Sequence, residues 1–207
     1  MSDDFGSGDD LDLVSHVIDS FHNHIDAAMQ AVENLAPVLA DTSALLVQTL
    51  LAEGRIFCCG EGGSGLLAQH FAAALLSRYQ RERPGLPVIC LNGDAAALTA
   101  VATDTSFNEI FARPLRALAQ PQDALLLISH GTGSGTALQT VQAAHDRGIP
   151  VLALCPEKSS DLRALLGPED LELHIPGDQR ARFFEIALLA LNNLCELIEL
   201  QLFGTGA

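Results

Sequence analysis

The sequence is poor in aromatic and basic residues. It has no tryptophan and 1 tyrosine, and 11 Lys and Arg stand against 26 Asp and Glu, for a formal net charge of -15. Proteins that hold nucleic-acid backbones or anionic lipid surfaces do so through clustered Lys and Arg. This charge balance therefore argues against direct binding to nucleic acid or to a membrane.

Secretion signals and a disulfide framework are also missing. The first ten residues carry acidic groups where a signal peptide needs basic ones, and no apolar stretch approaches ~20 residues without a polar break. The cysteines are odd in number and lack metal-ligand spacing: Cys58, Cys59, Cys90, Cys155 and Cys195. We expect a soluble protein in the reducing cytoplasm.

The chain nevertheless has ample material for a core, with 48% hydrophobic against 18% charged residues. We predict a single globular domain with a disordered acidic tail at residues 1–10 and a helical segment at 11–54. In that segment apolar residues recur every three or four positions, and Asp41-Thr42 is predicted to cap a second helix that ends at Gly54. Residues 55–203 form the rest of the domain.

From residue 55 onward, short apolar runs alternate with helical stretches. Runs without internal alternation suit strands that are covered on both faces, so we predict an α/β fold with a doubly wound, five-stranded parallel sheet. The predicted strands are residues 55–59, 87–91, 124–128, 150–154 and 171–175, and the clearest βαβ unit contains the predicted helix at 134–147.

The last predicted helix, residues 180–201, is apolar nearly all the way round and needs covering on every side. Burial within its own domain is one explanation. We favour an intersubunit helical bundle formed with the N-terminal helix, in a homotetramer or at least a dimer.

Two glycine-rich loops, residues 60–65 and 129–135, each follow a predicted strand and precede a helix. Ligands of parallel sheets bind at this edge, where backbone N–H groups and helix N-termini favour anions. The alternative is that the glycines only make tight turns. We predict a phosphate-binding cradle that includes Gly62, Gly63, Ser64, Ser129, His130, Thr132 and Ser134. Glu61 would repel a phosphate unless it is protonated or points elsewhere; it either orients a sugar hydroxyl or marks a weakened site.

Four segments carry a resemblance to a known family: ERPGLP, LNGD with LTAVATD, LLGPEDLELHIP, and LCELIELQLF near the end. With the two loops they resemble the phosphoheptose isomerase branch of the SIS (sugar isomerase) domain proteins, from about residue 11 to 203. The resemblance implies a five-stranded sheet, a tetramer and phosphosugar binding at the loops. Within that branch the segments are most similar to the initiator-associating proteins, which bind the replication initiator DnaA.

The resemblance also implies a zinc site built from a histidine, a glutamate, a glutamine and a second histidine. In this sequence these positions hold His70, Ala74, Phe184 and Asn192. An aspartate that contacts the sugar is matched by Ala181, whereas another survives as Asp94. With three of four ligands replaced, we expect no zinc, no metal site and no isomerase activity by the family mechanism.

Three functional hypotheses follow. The first is a non-catalytic, phosphosugar-binding homotetramer that regulates replication initiation by binding DnaA through Leu202 and Phe203. The second is sedoheptulose 7-phosphate isomerase or another ketose/aldose phosphate isomerase, with Glu61, Asp94 or His130 in a rearranged site. The third is a phosphosugar sensor. His70 and Glu61 are the candidate catalytic residues, and neither is compelling. A lone histidine on a helix rich in alanine and leucine is more often a structural residue, and Glu61 can instead mark a weakened site.

Overall fold

The computed structural model describes residues 12–131, 134–177 and 179–205, and the predicted tail at 1–10 lies outside them. The chain begins with helix α1, Leu13–Leu51, capped by Asp12, whose side chain accepts hydrogen bonds from the N–H groups of Val14 and Ser15. The helix is continuous, so the predicted break at Asp41-Thr42 is wrong. Thr42 and Ser43 are fully buried. Because α1 packs along α7 and β5 here, tertiary contacts outweigh the local capping preference.

The sheet has five parallel strands in the order β2-β1-β3-β4-β5, which confirms the predicted α/β fold. The strands are β1 Ile56–Gly60, β2 Val88–Cys90, β3 Ala124–Ile128, β4 Val151–Pro156 and β5 Leu171–Ile175. Every residue of β1 and β3 is buried. Apolar runs without alternation predicted these strands because both faces of the sheet are covered.

Helices cover the sheet on two sides. The helices after α1 are α2 Gly63–Leu76, α3 Ala95–Asp104, α4 Ala112–Leu118, α5 Gly135–Asp146, α6 Ser160–Arg163 and α7 Arg180–Phe203, with short 3-10 turns at Leu91–Gly93 and Phe107–Glu109. One core layer joins the sheet to α1, α2 and α7. The other joins it chiefly to α4 and α5.

Helices α1 and α7 are long and apolar enough to cross a membrane by length and composition alone. Both pack in the core layer described above, as core helices of a folded domain do. Burial within the domain accounts for one side of α7 and for the second half of α1. The first half of α1 leaves large apolar side chains exposed: Val14, Val17, Ile18, Phe21, Ile25 and Met29.

A buried ion pair ties the segment after α2 to α7. Arg83 Nε lies 2.8 Å from a carboxylate oxygen of Glu199, and both side chains are at most 2% exposed. Glu199 also accepts hydrogen bonds from the backbone N–H groups of Tyr79 and Gln80. The guanidinium of Arg83 donates to the carbonyl oxygens of Leu75 and Ala74 at the end of α2. This pair fixes the position of α2, which carries His70, against α7, which carries Asn192.

Candidate functional site

The two glycine-rich loops lie side by side at the carboxyl edge of the sheet. Strands β1 and β3 are neighbours, and Gly60 at the end of β1 pairs with Ile128 at the end of β3. Helix α2 begins at Gly63, within the first predicted loop, and helix α5 begins at Gly135, the last residue of the second. Two helix N-termini therefore open at one edge of the sheet, where backbone N–H groups favour negative charge.

Close packing against neighbouring atoms explains two glycines of the first loop. A Cβ on Gly60 would lie 2.6 Å from the Ile128 carbonyl oxygen, and one on Gly65 would lie 2.6 Å from the Asn92 amide nitrogen. Asn92 Nδ2 donates to the Gly60 carbonyl at 2.8 Å, and the Gly60 N–H donates to Asn92 Oδ1 at 3.2 Å. Asn92 thus clamps the start of the loop. Sequence reasoning missed this residue, although it stands in the quoted LNGD segment.

The side chains of Glu61 and Ser134 join the two loops. The Ser134 hydroxyl donates a hydrogen bond to the Glu61 carboxylate. The same hydroxyl oxygen caps α5 by accepting from the Ala137 N–H at 3.3 Å. The carboxylate therefore lies at the mouth of the cradle, with its orientation fixed by the opposite loop.

The other predicted cradle residues have mixed surroundings. Gly62 has a φ of +54, a conformation that L side chains rarely adopt. Ser64 is 1% exposed, and its hydroxyl has no hydrogen-bond partner among the described residues. The Ser129 hydroxyl donates to the Gly131 carbonyl at 3.3 Å. Thr132 lies outside the described residues.

Asp94 occupies the N-cap of α3, where its side chain accepts a hydrogen bond from the Ala97 N–H at 2.9 Å. Its carboxylate is exposed. The structure therefore gives Asp94 a capping role.

His130 belongs to an aromatic cluster at the second loop. Its ring stacks on Phe184 with centroids 5.4 Å apart and packs edge-on against Phe183 at 5.1 Å. The guanidinium of Arg180 lies 5.5 Å from the Phe184 ring centroid. Burial lowers the pKa of His130, and the positive charge of Arg180 lowers it further. The imidazole is therefore neutral at neutral pH.

Phe184 also reaches the first loop, because a Cβ on Gly63 would lie 2.8 Å from its ring. Beyond the cluster, a cavity of about 460 Å³ opens at the ends of β3 and β4. Its size falls within the range usual for small-molecule sites. Its lining combines the second loop with residues after β4 and before α7: His130, Gly131, Pro156, Lys158, Gly177, Gln179 and Phe183.

His70 faces α7 rather than the loops. Its Nε2 lies 2.8 Å from the side-chain oxygen of Asn192, an arrangement in which the imidazole N–H donates to the amide oxygen. Ala74, one turn further along α2, is half-buried and presents only a methyl group to its surroundings.

Comparison with known proteins identifies the family. The family model described as "SIS domain" matches residues 20–155, more than half of the chain. The chain belongs to the SIS domain family. It is 44% identical to the phosphoheptose isomerase of Chromohalobacter salexigens over 195 residues, which are 94% of this chain and 99% of that relative. It is also 44% identical to that of Alkalilimnicola ehrlichii, over 91% of this chain and 96% of the relative.

Solved structures place this SIS domain in the phosphoheptose isomerase branch. The phosphoheptose isomerase of Neisseria gonorrhoeae superposes with a TM-score of 0.85 at 32% identity, covering 90% of this chain and 98% of that one. The enzyme of Francisella tularensis gives 0.86 at 34% identity, covering 89% and 97%.

These relatives correct the first functional hypothesis. Proteins that match the SIS chain over nearly its whole length are named phosphoheptose isomerase, so a non-catalytic regulator of replication initiation that binds DnaA is the wrong interpretation. The two residues assigned to DnaA have structural surroundings of their own. Leu202 packs against the core layer of α1, α2 and α7, and Phe203 is 43% exposed at the end of α7.

The residues at the family's zinc positions do not fit a zinc ion. Zinc sites in proteins take three or four nitrogen, sulfur or carboxylate ligands. Here Ala74 and Phe184 offer none, Asn192 offers an amide oxygen, and His70 directs Nε2 at that oxygen. No catalytic step through a metal follows from this donor set.

Proposed function

We propose that the chain is a ketose/aldose phosphate isomerase of the phosphoheptose type, acting on sedoheptulose 7-phosphate or a closely related sugar phosphate. Two 44% identical relatives named for this activity support the proposal. The observation that carries it within the site is the Glu61 carboxylate, held by Ser134 where the two loops meet. A fixed carboxylate beside an anion-binding edge is what proton transfer on a sugar phosphate requires.

The reaction moves one carbon-bound proton between neighbouring carbons. Starting from the ketose, Glu61 takes a proton from C1 and leaves an enediol, and it then returns a proton to C2 to give the aldose. The carboxylate ends as it began, so atoms and charge balance. The hydrogen bond from Ser134 holds the carboxylate in one orientation, which favours transfer between two adjacent carbons.

His130 supplies the second function that an enediol pathway needs. As the carbonyl oxygen gains negative charge, the N–H of a neutral imidazole can donate a hydrogen bond to it. The imidazole does not need to be positively charged for this role. The lowered pKa of His130 keeps the ring in that neutral form. After the C1 proton leaves, the imidazole donates its proton to O2 and regains one from the hydroxyl on O1.

The substrate phosphate binds at the N-termini of α2 and α5. Its donors in this proposal are backbone N–H groups of both loops and the hydroxyl of Ser64, joined by the Ser129 hydroxyl when it turns from the Gly131 carbonyl to the phosphate. The Ser64 hydroxyl has no partner among the described residues, so a phosphate oxygen would satisfy it. The sugar then extends past His130 into the cavity of about 460 Å³. This pathway uses no zinc.

The same proposal includes assembly of the chain into a homo-oligomer in the cytoplasm. Further copies of the chain cover the exposed apolar side chains of α1. These side chains continue into an apolar cavity of about 290 Å³ between α1 and α7. Phe21, which is 69% exposed, is a direct probe of this interface. Light scattering should report a smaller assembly for Phe21→Asp, whereas Phe107→Asp, exposed on another part of the surface, should keep the wild-type mass.

Proton NMR of purified protein with separate pentose, hexose and heptose phosphates tests the activity. The proposal expects conversion of sedoheptulose 7-phosphate to an aldose phosphate in the presence of a chelator, and loss of conversion in Glu61→Gln. Saturable binding of the sugar phosphate without conversion by the wild type would instead favour a phosphosugar sensor and reject the isomerase.

A further inference from the structure

Cys58 and Cys90 occupy paired positions on neighbouring strands. Cys58 of β1 pairs with Cys90 of β2 in the parallel register. Both side chains lie against the core layer of α1, α2 and α7, so they share one face of the sheet. Neighbouring strands are about 4.8 Å apart, and disulfides join Cα atoms about 4.4–6.8 Å apart. The two thiols can therefore be linked without moving either strand far.

The two sulfurs differ in exposure. Cys58 is fully buried, whereas Cys90 is half-buried at the end of β2, which is an edge strand. A reagent of the size of hydrogen peroxide therefore reaches Cys90 first. Cys59, the neighbour of Cys58, is also fully buried but belongs to the opposite core layer, so it cannot take part.

Their acidities differ in the same sense. The hydrogen bond from Cys58 lowers the pKa of Cys90, to about 7. Hydrogen bonds from the N–H groups of Asn92 and Gly93 also lower it, whereas burial raises it. The pKa of Cys58 is raised by that same hydrogen bond and by burial. Cys58 has one thiol proton and two acceptors, since its Sγ also lies 3.3 Å from the Ala68 carbonyl oxygen. The lowered pKa raises the share of Cys90 that is a thiolate at neutral pH, the form that reacts with peroxides.

We propose that Cys90 is a peroxide-reactive site and that it forms a reversible disulfide with Cys58. The Cys90 thiolate attacks one peroxide oxygen, the O–O bond breaks, and hydroxide leaves, giving a sulfenic acid at Cys90. The sulfur of Cys58 then attacks the Cys90 sulfur, forming the S–S bond and releasing the second oxygen as water. Two thiols are oxidised by two electrons and one peroxide is reduced to two waters; a dithiol reverses the change.

The site is coupled to the first glycine-rich loop. Cys90 Sγ lies 4.0 Å from Oδ1 of Asn92, the residue that clamps Gly60. Disulfide formation removes the Cys58 hydrogen bond to the Ala68 carbonyl in α2 and draws Cys90 toward β1. The proposal itself does not depend on isomerase activity, because its test uses thiol chemistry alone.

To test this, the reduced full-length protein is treated with hydrogen peroxide at neutral pH and its remaining free thiols are blocked. The tryptic peptides are then mapped by mass spectrometry without reduction. Cys58 and Cys59 share the tryptic peptide 56–78, so variants must tell them apart. Wild type and the matched control Cys59→Ala should both give an intrachain link to Cys90 that dithiothreitol reverses. Cys58→Ala should give no link and a sulfenic acid at Cys90 that dimedone traps.

A rate measurement gives an independent readout that needs no variant. At neutral pH Cys90 should be alkylated at least about tenfold faster than Cys155 and Cys195, whose pKa values burial raises to about 12. Circular dichroism before and after treatment checks that the fold is retained. The proposal is overturned if Cys90 reacts no faster than these cysteines, if Cys58→Ala forms the same link, or if Cys90 pairs only between chains.

Discussion

Glu61 and Ser134, from loops that follow two different strands, are hydrogen-bonded to each other at the edge of the sheet. A carboxylate beside a phosphate site repels the phosphate unless it is protonated or points elsewhere. Because the hydroxyl of Ser134 fixes its orientation, the same carboxylate is suited to act as a base. The proposed isomerase activity depends on this pair.

Replacing Ser134 by Ala should lower kcat about tenfold while KM changes little, because the base remains but loses its fixed orientation. Glu61→Gln should lower kcat by at least ~10²-fold, because the base itself is lost. Steady-state kinetics with sedoheptulose 7-phosphate measure both. Glu196→Gln, an exposed change on α7, is the control for a lost carboxylate. Equal loss of activity in Ser134→Ala and Glu196→Gln would contradict the role of Ser134.

Zinc retention should depend on three substitutions together. The wild-type chain should hold no zinc at these four positions after gel filtration, because two of them lack any ligand atom; Cys155→Ala in the background of every variant removes the separate Cys155, Glu172 and His174 group, whose ligand atoms lie within 4.8 Å of one another. The triple variant Ala74→Glu, Phe184→Gln, Asn192→His restores the donor types and should retain about one zinc per chain. Elemental analysis measures the content, and Phe184→Gln alone serves as the control. Tight zinc that persists in the Cys155→Ala background and is lost in His70→Ala would refute the assessment of this donor set.

The Arg83–Glu199 pair should be worth far more to stability than an exposed pair. Arg83→Met leaves the buried carboxylate of Glu199 without its cation and should cost about 3–5 kcal/mol of unfolding free energy. The matched control is Arg78→Met, whose partner Glu82 lies 2.6 Å away on an exposed surface. That change should cost less than about 1 kcal/mol. Urea unfolding measures both, and similar costs would contradict the importance of burial.

Acid should weaken the fold partly through Glu199. Burial raises the pKa of its carboxyl, but the N–H groups of Tyr79 and Gln80 and the charge of Arg83 outweigh burial and bring the pKa below its usual 4.5. A group with a lowered pKa in the folded state contributes stability that is complete above its unfolded pKa and is lost as pH falls through the folded value. Glu199→Gln should therefore be less stable than wild type at pH 7, and the gap should narrow below about pH 4.5. If the stability difference between the two proteins widened as the pH fell, the pKa of Glu199 would be raised in the folded state, which would contradict this prediction.

Much of the fold was predictable because buried strands and helix stops leave local signals. The strand at Ala124–Ile128 matches its predicted bounds, since its apolar run is flanked by polar residues. The uninterrupted α1 was not predictable, because Asp41-Thr42 offers a cap locally and only packing against α7 and β5 overrides it.

The candidate site was predictable in place but not in its contacts. Glycines after strands located both loops, whereas the Glu61–Ser134 hydrogen bond and the stacking of His130 on Phe184 join residues far apart in sequence. The replaced ligands at Ala74, Phe184 and Asn192 favoured a non-catalytic interpretation, which the relatives named phosphoheptose isomerase contradict. The loss of these ligands argues against the zinc mechanism. It does not test whether other side chains in the same cleft can carry out the reaction.

Solvent deuterium exchange tests the central claim most directly. Sedoheptulose 7-phosphate is incubated in D₂O with chelator-treated wild-type protein and with Glu61→Gln, and proton NMR follows the carbon-bound hydrogens. The account predicts that the wild type converts the ketose to an aldose phosphate and places deuterium at C2, and that Glu61→Gln does neither. An unchanged substrate with the wild-type protein, or equal exchange by both proteins, would contradict it.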